Sequence, residues 1–432
     1  MPEKFDAIVV GAGPAGITAA YCLARDGLKV VLIERGEQPG TKNTMGGVLY
    51  RQMLDEIIPG FWQQAPVERH VIDQQWWLLS EDSAVKFGHR NSEHDKEPYN
   101  AFTVLRAKFD RWYAQQAVKQ GALLITETVV TKLLRDSAGR VIGVETDRPD
   151  GELLADVVIV SEGANTLVLE ASGIKPKPEA DTMAVAVKEV ISLPREVIEN
   201  RFQIQGDQGA VIELFGDPTL GMVGNAFIYT NKDSLSVGLG AMISDFRRRR
   251  IRPHQLLERF KQHPAVAALV AGGEIKEYMA HMIPEGGYES MPPLYGDGFL
   301  VCGDAAGMVI AVHREGSNLA VTSGRLAAET VVEAAKAGDF SARKLAVYRE
   351  KLEHSFVLQD LRQYRHVTPV IEQSPQFLGT YPGLLNRALQ EFLTVDGVPK
   401  RQKEKRIFRQ VLKERPVTAL LGDAYRLWRA LG

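Results

Sequence analysis

The feature that most constrains the fold is a glycine-rich turn near the N-terminus. The apolar run FDAIVV is followed by GAGPAG, in which Gly11, Gly13 and Gly16 have the spacing G-x-G-x-x-G. A buried strand that leads through such a turn into a helix begins a dinucleotide-binding βαβ unit. We therefore predict that this turn, which also contains Pro14 and Ala15, holds a pyrophosphate at the N-terminus of the helix.

A second strand with an acidic end supports this prediction. The pattern predicts a helix over residues 17–26 and a strand over residues 29–34, which ends at Glu34. A carboxylate roughly 20 residues beyond the glycine turn is typical of a side chain that binds a ribose hydroxyl. Glu34 and the adjacent Arg35 are therefore predicted to bind the cofactor. The turn alone leaves FAD and NAD as alternatives.

The remaining pattern predicts an α/β fold. It consists of a doubly wound Rossmann-type nucleotide domain, an antiparallel β-sheet second domain and a helical C-terminal region. A strand–glycine–helix pattern returns near residue 300, so the nucleotide domain is predicted to be discontinuous. The predicted boundaries are 1–180 with 295–340 for the nucleotide domain, 181–294 for the β-rich substrate domain and 341–432 for the helical region.

Composition excludes several classes of function. The net charge of −2 argues against nucleic-acid binding. Cys22 and Cys302 are the only cysteines, too few to hold a four-cysteine iron–sulfur cluster, and no metal-ligand spacing is found. No stretch approaches the ~20 apolar residues of a spanning helix, and the N-terminus lacks the pattern of a signal peptide. We expect a protein that is soluble or lies on a membrane surface.

Three further segments favour FAD. LVCGDAAG, with Gly303 and Asp304, resembles the second FAD motif of glutathione-reductase-like flavoproteins, whose aspartate binds the ribitol. LRAKFD, with Arg106, resembles a segment of hydroxylase-like flavoproteins whose arginine lies near the cofactor phosphates. Gly163 lies in a strand-end turn that is expected near the adenine. For Arg106, a surface charge at a helix start is the alternative.

A more specific resemblance comes from motifs spread along the chain. PEGGYESMP over residues 284–292, GDAAGM, SGRLAAE and the early TMGGVLY segment resemble the electron transfer flavoprotein–quinone oxidoreductase family, and TMGGVLY points to its FixC branch. The resemblance covers about residues 1–390.

This resemblance implies a function. FAD would accept NADH-derived electrons from a partner electron transfer flavoprotein, a FixA/FixB-like pair, and pass them to a membrane quinone. That transfer is the exergonic branch of electron bifurcation in assemblies that support nitrogen fixation. The larger family members carry a cysteine-ligated iron–sulfur domain, which this chain lacks, so a separate ferredoxin-like FixX-type subunit is expected to hold the 4Fe–4S cluster. The location implied is cytoplasmic, peripheral on the inner face of the cell membrane.

The resemblance also assigns residues. Gly286, Gly287 and Tyr288 are expected to line the quinone site, and a plain glycine turn is the alternative. A loop against the isoalloxazine is expected from Met45, Gly46 and Gly47. A helix start at the edge of the isoalloxazine is expected from Gly316 and Asn318. No catalytic acid, base or metal ligand is predicted, because electron transfer needs none.

Two other functions fit a flavoprotein of this kind: an NAD(P)H-dependent hydroxylase and a polyprenyl (geranylgeranyl-type) reductase. Two basic segments could bind an acidic partner or an anionic membrane. One is the run at residues 247–252. The other begins at Lys400 and mixes basic with apolar residues, which is typical of an amphipathic helix that docks on a partner.

Overall fold

The computed structural model describes residues 4–42 and 47–432. The chain divides into two compact units, each made of three chain segments. The first unit consists of Met1–His70, Pro98–Met183 and His281–Arg362. The second unit consists of Val71–Glu97, Ala184–Ala280 and Gln363–Gly432.

The strands, numbered along the chain, are β1 (Lys4–Val10), β2 (Val30–Ile33), β3 (Val48–Tyr50), β4 (Val67–Leu79), β5 (Ala84–Arg90), β6 (Ala101–Val104), β7 (Leu123–Ile125), β8 (Val130–Arg135), β9 (Val141–Thr146), β10 (Glu152–Val160), β11 (Met183–Ser192), β12 (Gln208–Gly216), β13 (Gly224–Thr230), β14 (Ser234–Met242), β15 (Glu274–Pro284), β16 (Tyr295–Gly296) and β17 (Phe299–Val301).

The helices are α1 (Pro14–Arg25), α2 (Arg51–Asp55), α3 (Arg106–Lys119), α4 (Leu167–Ala171), α5 (Arg195–Phe202), α6 (Ile243–Arg249), α7 (Pro253–Gln262), α8 (Pro264–Val270), α9 (Ser317–Ala337), α10 (Ala342–Leu345), α11 (Val347–Glu353), α12 (Phe356–Gln363), α13 (Val367–Glu372), α14 (Thr380–Leu393), α15 (Lys400–Glu414) and α16 (Val417–Leu431).

The first unit contains the parallel sheet that the sequence predicts. Its strands β17, β10, β1, β2 and β7 pair in that order, all parallel. The apolar run of β1 is buried along most of its length, as expected for a strand covered on both faces. Strands β8 and β9 form an antiparallel extension beside β10. The doubly wound α/β class is confirmed.

One predicted strand of this unit is wrong. The sequence predicts a single strand over residues 122–134, but the structure has β7 and β8 in different parts of the sheet. The chain turns at Glu127, whose φ of +51° lies in the left-handed region. An apolar run does not reveal such a turn, because Glu127 is not one of the residues that normally mark it.

The second unit contains an antiparallel sheet, which was also predicted. Strand β14 pairs antiparallel with both β11 and β13, and β13 pairs antiparallel with β12. Helices α5 to α8 cover a core that includes Ile198, Leu257 and Phe260. Strand β15 was not predicted. It lies at the sheet edge, and its first residues are mostly exposed, so the sequence shows no alternation of buried and exposed side chains.

The C-terminal segment is helical, as predicted, but the amphipathic segment forms two helices rather than one. Helix α15 ends before Pro416 and α16 follows. Several large apolar side chains of these helices are exposed, among them Phe408, Leu421 and Trp428. Among the helices that the structure describes, none is both long and apolar enough to cross a membrane.

A buried carboxylate joins three parts of this segment. Asp423 accepts hydrogen bonds from the Gln376 amide at 2.7 Å and the Tyr381 hydroxyl at 2.5 Å, and it also pairs with Arg415. Its side chain is only 4% exposed. The carboxylate therefore connects α16 to the start of α14 and to the end of α15.

We expect Asp423→Asn to destabilise the protein by about 1–3 kcal/mol, because an amide cannot accept all of these hydrogen bonds and leaves buried donors unsatisfied. Urea unfolding followed by circular dichroism measures this free energy. Glu404→Gln, at an exposed position of α15, is the control and should change it by less than about 0.5 kcal/mol. Equal midpoints for the two variants would contradict a structural role for Asp423.

Candidate functional site

The three glycines of the first turn have different environments. Gly11 has a φ of +96°, and a Cβ there would lie 2.5 Å from the Ser161 carbonyl oxygen. A Cβ on Gly16 would lie 2.0 Å from the carbonyl oxygen of Gly11. Around a Cβ on Gly13, in contrast, no heavy atom lies within 4 Å. Two glycines therefore permit close packing, and Gly13 leaves open space at the N-terminus of α1.

Helix α1 begins at Pro14, three residues before the predicted start, because proline suits the first helical turn. The helix is packed closely against α9. A Cβ on Gly324 would lie 2.2 Å from the Ala15 carbonyl oxygen, so this contact also requires glycine. The neighbouring Ser323 hydroxyl accepts a hydrogen bond from the Gly303 amide at 3.1 Å. The SGRLAAE segment thus holds the two glycine turns in place.

The Glu34 carboxylate lies at the glycine turn. It accepts hydrogen bonds from the amides of Ala12 at 2.9 Å and Gly36 at 2.7 Å. Both contacts fix the carboxylate beside the open space at Gly13. The role of Glu34 toward a ribose stays a prediction, and this position is compatible with it.

The second glycine turn places a partly buried carboxylate in the first unit. Gly303, with a φ of +64°, begins a 3-10 turn after β17, and Asp304 follows. Burial raises the pKa of the Asp304 carboxyl to about 6, although Arg106 and Lys175 lower it. Asp304 is therefore close to two cationic side chains, one of which, Lys175, sequence reasoning missed.

Arg106 is a buried charge rather than a surface charge. Its guanidinium donates to both carboxylate oxygens of Asp110, at 2.8 and 2.7 Å. The arginine side chain is 6% exposed and the aspartate side chain is fully buried. Gly40 packs on the start of this helix, where a Cβ would lie 2.5 Å from the Arg106 carbonyl oxygen. The segment after β2 is thereby brought against α3.

We expect Asp110→Asn to lower the free energy of unfolding by about 3–5 kcal/mol, because it removes the negative charge that faces a buried guanidinium. Thermal unfolding of the purified variant measures the loss. Asp26→Asn removes a partly exposed partner of Arg25 and should cost less than about 1 kcal/mol. If D110N were as stable as D26N, the buried pair would contribute no more than a surface pair.

The turn after β10 is the predicted strand-end glycine turn, and it also caps a helix. Gly163 has a φ of +79°, as a tight turn requires. The adjacent Glu162 accepts hydrogen bonds from the amides of Val168 at 2.7 Å and Leu169 at 2.9 Å. Glu162 therefore caps α4, a structural role that the sequence did not reveal. The predicted contact of Gly163 with the adenine stays a prediction.

The start of α9 contains an unsatisfied polar atom. The Asn318 amide donates to the Glu315 carboxylate at 2.6 Å. Its Oδ1 atom is buried and accepts no hydrogen bond within the part of the chain that the structure describes. Gly316 precedes this helix as its N-cap residue. Buried acceptors in proteins normally receive a hydrogen bond, so the Asn318 Oδ1 atom is a candidate to accept one from a ligand at the start of α9.

The loop expected beside the isoalloxazine lies largely outside the described residues. Met45 and Gly46 belong to the part that is not described. Gly47 is described and buried, and its carbonyl oxygen accepts a hydrogen bond from the Val104 amide at 2.9 Å.

The predicted quinone loop, residues 285–288, follows β15 in the first unit. A Cβ on Gly286 would lie 2.3 Å from the Ser290 hydroxyl oxygen. Around a Cβ on Gly287, in contrast, no described residue other than its chain neighbours lies within 4 Å. The Tyr288 ring faces the guanidinium of Arg362 at 5.3 Å, and the two side chains share a hydrogen bond of 3.2 Å. One face of the tyrosine ring is therefore covered by an arginine.

This loop lies close to the second glycine turn. Burial raises the pKa of Glu285 to about 8, and the negative charge of Asp304 adds to the rise. Four residues earlier, burial lowers the pKa of His281 to about 4, with Arg106 and Arg35 adding to the shift. The charges of the two motifs thus act on each other, which places residues from distant parts of the sequence in one site.

Comparison with known proteins shows the family to which this chain belongs. The chain is 48% identical over 430 residues to Protein FixC of Bradyrhizobium diazoefficiens, which covers 99% of each chain. It is 47% identical over the whole of both chains to Protein FixC of Azotobacter vinelandii. The chain belongs to the FixC family. Protein FixC of Escherichia coli strain K12 is 43% identical over 94% of each chain.

Two family models match parts of this FixC chain. Residues 367–432 match the ETF-QO/FixC family C-terminal domain, and residues 6–172 match the FAD dependent oxidoreductase family. The chain is therefore an FAD-dependent oxidoreductase of an electron-transfer family. The resemblance found from the sequence motifs is confirmed.

Solved structures of flavoenzymes share the fold of this FixC chain. A geranylgeranyl bacteriochlorophyll reductase-like protein from Thermoplasma acidophilum has a TM-score of 0.73 at 20% identity, over 96% of this chain and 98% of that chain. A flavoprotein/dehydrogenase from Cytophaga hutchinsonii has a TM-score of 0.64 at 18% identity, over 98% and 99%. At these identities the likeness concerns the fold alone.

The residues of the first unit fit FAD. Gly13 leaves room at a helix N-terminus, where amides can bind a pyrophosphate. Asp304 offers a partly buried carboxylate, and Asn318 offers its Oδ1 atom as an acceptor at the start of α9. These groups belong to three elements of the first unit.

Proposed function

We propose that this FixC-family chain accepts electrons from a partner electron transfer flavoprotein and delivers them to a membrane quinone. FAD, when bound, takes up two electrons and can release them singly. One observation carries the proposal: the loop at residues 285–288 lies close enough to the second glycine turn for the charge of Asp304 to act on Glu285. A substrate held at this loop would adjoin the cofactor site.

The partner side of the proposal rests on cysteine chemistry. Burial raises the pKa of Cys22 to about 11 and that of Cys302 to about 12, so both thiols stay protonated at neutral pH. A cluster ligand must be a thiolate. We infer that a 4Fe–4S cluster in this pathway belongs to a separate ferredoxin-like, FixX-type subunit. Electrons would come from NADH through a FixA/FixB-like pair, in the exergonic branch of bifurcation.

The docking side of the proposal rests on the C-terminal helices. Helix α15 carries seven lysines and arginines against two glutamates, and Phe408 on the same helix is 62% exposed. On α16, Leu421 and Trp428 are exposed to 66% and 68%. A cationic surface with exposed apolar groups favours an acidic protein partner, and a peripheral position on the inner face of the membrane is compatible with it.

The test compares electron donors. Purified protein with bound FAD is mixed anaerobically with NADPH, and separately with the reduced partner flavoproteins followed by a short-chain ubiquinone. We expect slow flavin bleaching by NADPH, fast reduction by the partner proteins and reoxidation by the quinone. Rapid bleaching by NADPH would favour a hydroxylase or a polyprenyl reductase. Stoichiometric iron in the isolated chain would contradict the separate cluster subunit.

A further inference from the structure

Glu285 is a partly buried acid at the edge of the proposed quinone loop. Its backbone amide donates to the Thr182 carbonyl oxygen at 2.8 Å, which fixes the start of the loop. Its carboxyl group forms no hydrogen bond or ion pair with any side chain or amide in the described ranges. Gly286 and Gly287 follow directly, and Gly287 borders open space. Among the residues that the structure describes, this carboxyl group therefore has no partner, and it lies next to the place where a ligand has room.

The charges around Glu285 favour its protonated form. Burial raises the pKa of the Glu285 carboxyl, and repulsion by Asp304 on the turn after β17 adds to the rise. Three cationic side chains lie in this region: Arg106 on α3, Lys175 after α4 and Arg35 after β2. Arg106 binds Asp110, and Lys175 acts on Glu162 and Asp304. His281 on β15 is neutral at pH 7, because its pKa is lowered to about 4.

We propose that Glu285 donates a proton to a quinone carbonyl oxygen held at Gly286 and Gly287. This inference rests on the proposed function. Reduction of a quinone to a quinol consumes two electrons, which the partner flavoprotein supplies, and two protons. An O–H bond of Glu285 breaks as the O–H bond of the quinol forms, water supplies the second proton, and Glu285 is reprotonated from solvent.

The acidity of Glu285 suits this role. A general acid is most effective when its pKa lies near the working pH, because it is then protonated and still donates readily. Glu285, with a pKa of about 8, is largely protonated at pH 7. A carboxyl group that only stabilised the loop would be expected to form hydrogen bonds within it.

The first test uses two acceptors. E285Q keeps the shape of the side chain but has no acidic proton. We expect reduction of a short-chain ubiquinone to fall about 100-fold, within the range typical of a lost general acid. Reduction of ferricenium, which takes one electron and no proton, should stay near the wild-type rate. E289Q, at an exposed position directly after this loop, should reduce both acceptors as the wild type does.

The second test follows pH. Quinone reduction by the wild type should fall as pH rises through about 8, because Glu285 loses its proton there. This fall should be absent in E285Q. Infrared difference spectra of the quinone-free protein at pH 7 should contain a carboxylic acid band that E285Q lacks. E285D, which keeps a carboxyl group, should recover part of the lost rate.

The outcomes separate this inference from the function on which it rests. A wild type that reduces ferricenium but no quinone contradicts the proposed function. A wild type that reduces quinone at the same rate as E285Q contradicts only the role of Glu285. Equal losses for quinone and ferricenium, or loss of FAD in both E285Q and E285D, would make Glu285 a structural residue and overturn the inference.

Discussion

Gly13→Ala is expected to give a folded protein that binds FAD about 100-fold more weakly. The backbone at Gly13 has a φ of −87°, which alanine adopts without strain. Apart from its chain neighbours, no described residue lies within 4 Å of a Cβ placed there. The methyl group would instead occupy the space in front of the α1 amides. Loss of two hydrogen bonds to a charged group, at about 1.5 kcal/mol each, corresponds to that loss of affinity.

Gly16→Ala, three residues further along the chain, is expected instead to destabilise the fold. Its Cβ would lie 2.0 Å from the Gly11 carbonyl oxygen, so the backbone itself must move, at a cost of at least about 1–3 kcal/mol. Urea unfolding of the FAD-free proteins and flavin fluorescence titrations separate the two effects. Wild-type affinity in G13A, or a G16A protein as stable as G13A, would contradict these assignments.

The parts of the fold set by local pattern could be predicted from sequence. The order β1, α1, β2 follows from an apolar run, a glycine turn and a helical period, all within 30 residues or so. The predicted ends of helices and strands were less accurate. Helix α1 starts earlier than its apolar period, since Pro14 opens it, and the split between β7 and β8 depends on one left-handed residue, Glu127.

Contacts between distant segments could not be predicted in the same way. Ser323 binds the Gly303 amide and Gly324 allows close approach to Ala15, yet each is an ordinary residue of a helical pattern. The proximity of Glu285 to Asp304 depends on β15. This edge strand is exposed over most of its first residues, so its sequence lacks the alternation of apolar and polar residues that predicts a strand. A single sequence gives residue types and local period, whereas these pairs are set by how the elements pack.

Gly287→Leu is expected to reduce quinone reduction about 100-fold while FAD stays bound. A leucine at Gly287 would enter open space beside Glu285 rather than the protein interior, so the cofactor site should remain intact. An obstruction worth about 3 kcal/mol, comparable to overpacking, gives an effect of this size. Steady-state reduction of a short-chain ubiquinone and the flavin absorbance of the same sample measure both quantities.

Backbone strain must be separated from obstruction, because Gly287 has a φ of +60° that leucine tolerates poorly. Gly139 is the matched control: its φ is +84°, and a Cβ there also meets nothing within 4 Å. It lies in the turn between β8 and β9, so Gly139→Leu adds similar strain in the same unit. If G139L and G287L lose quinone reduction equally, strain explains the effect. If G287L alone loses it and keeps FAD, the open space at Gly287 is where the quinone binds.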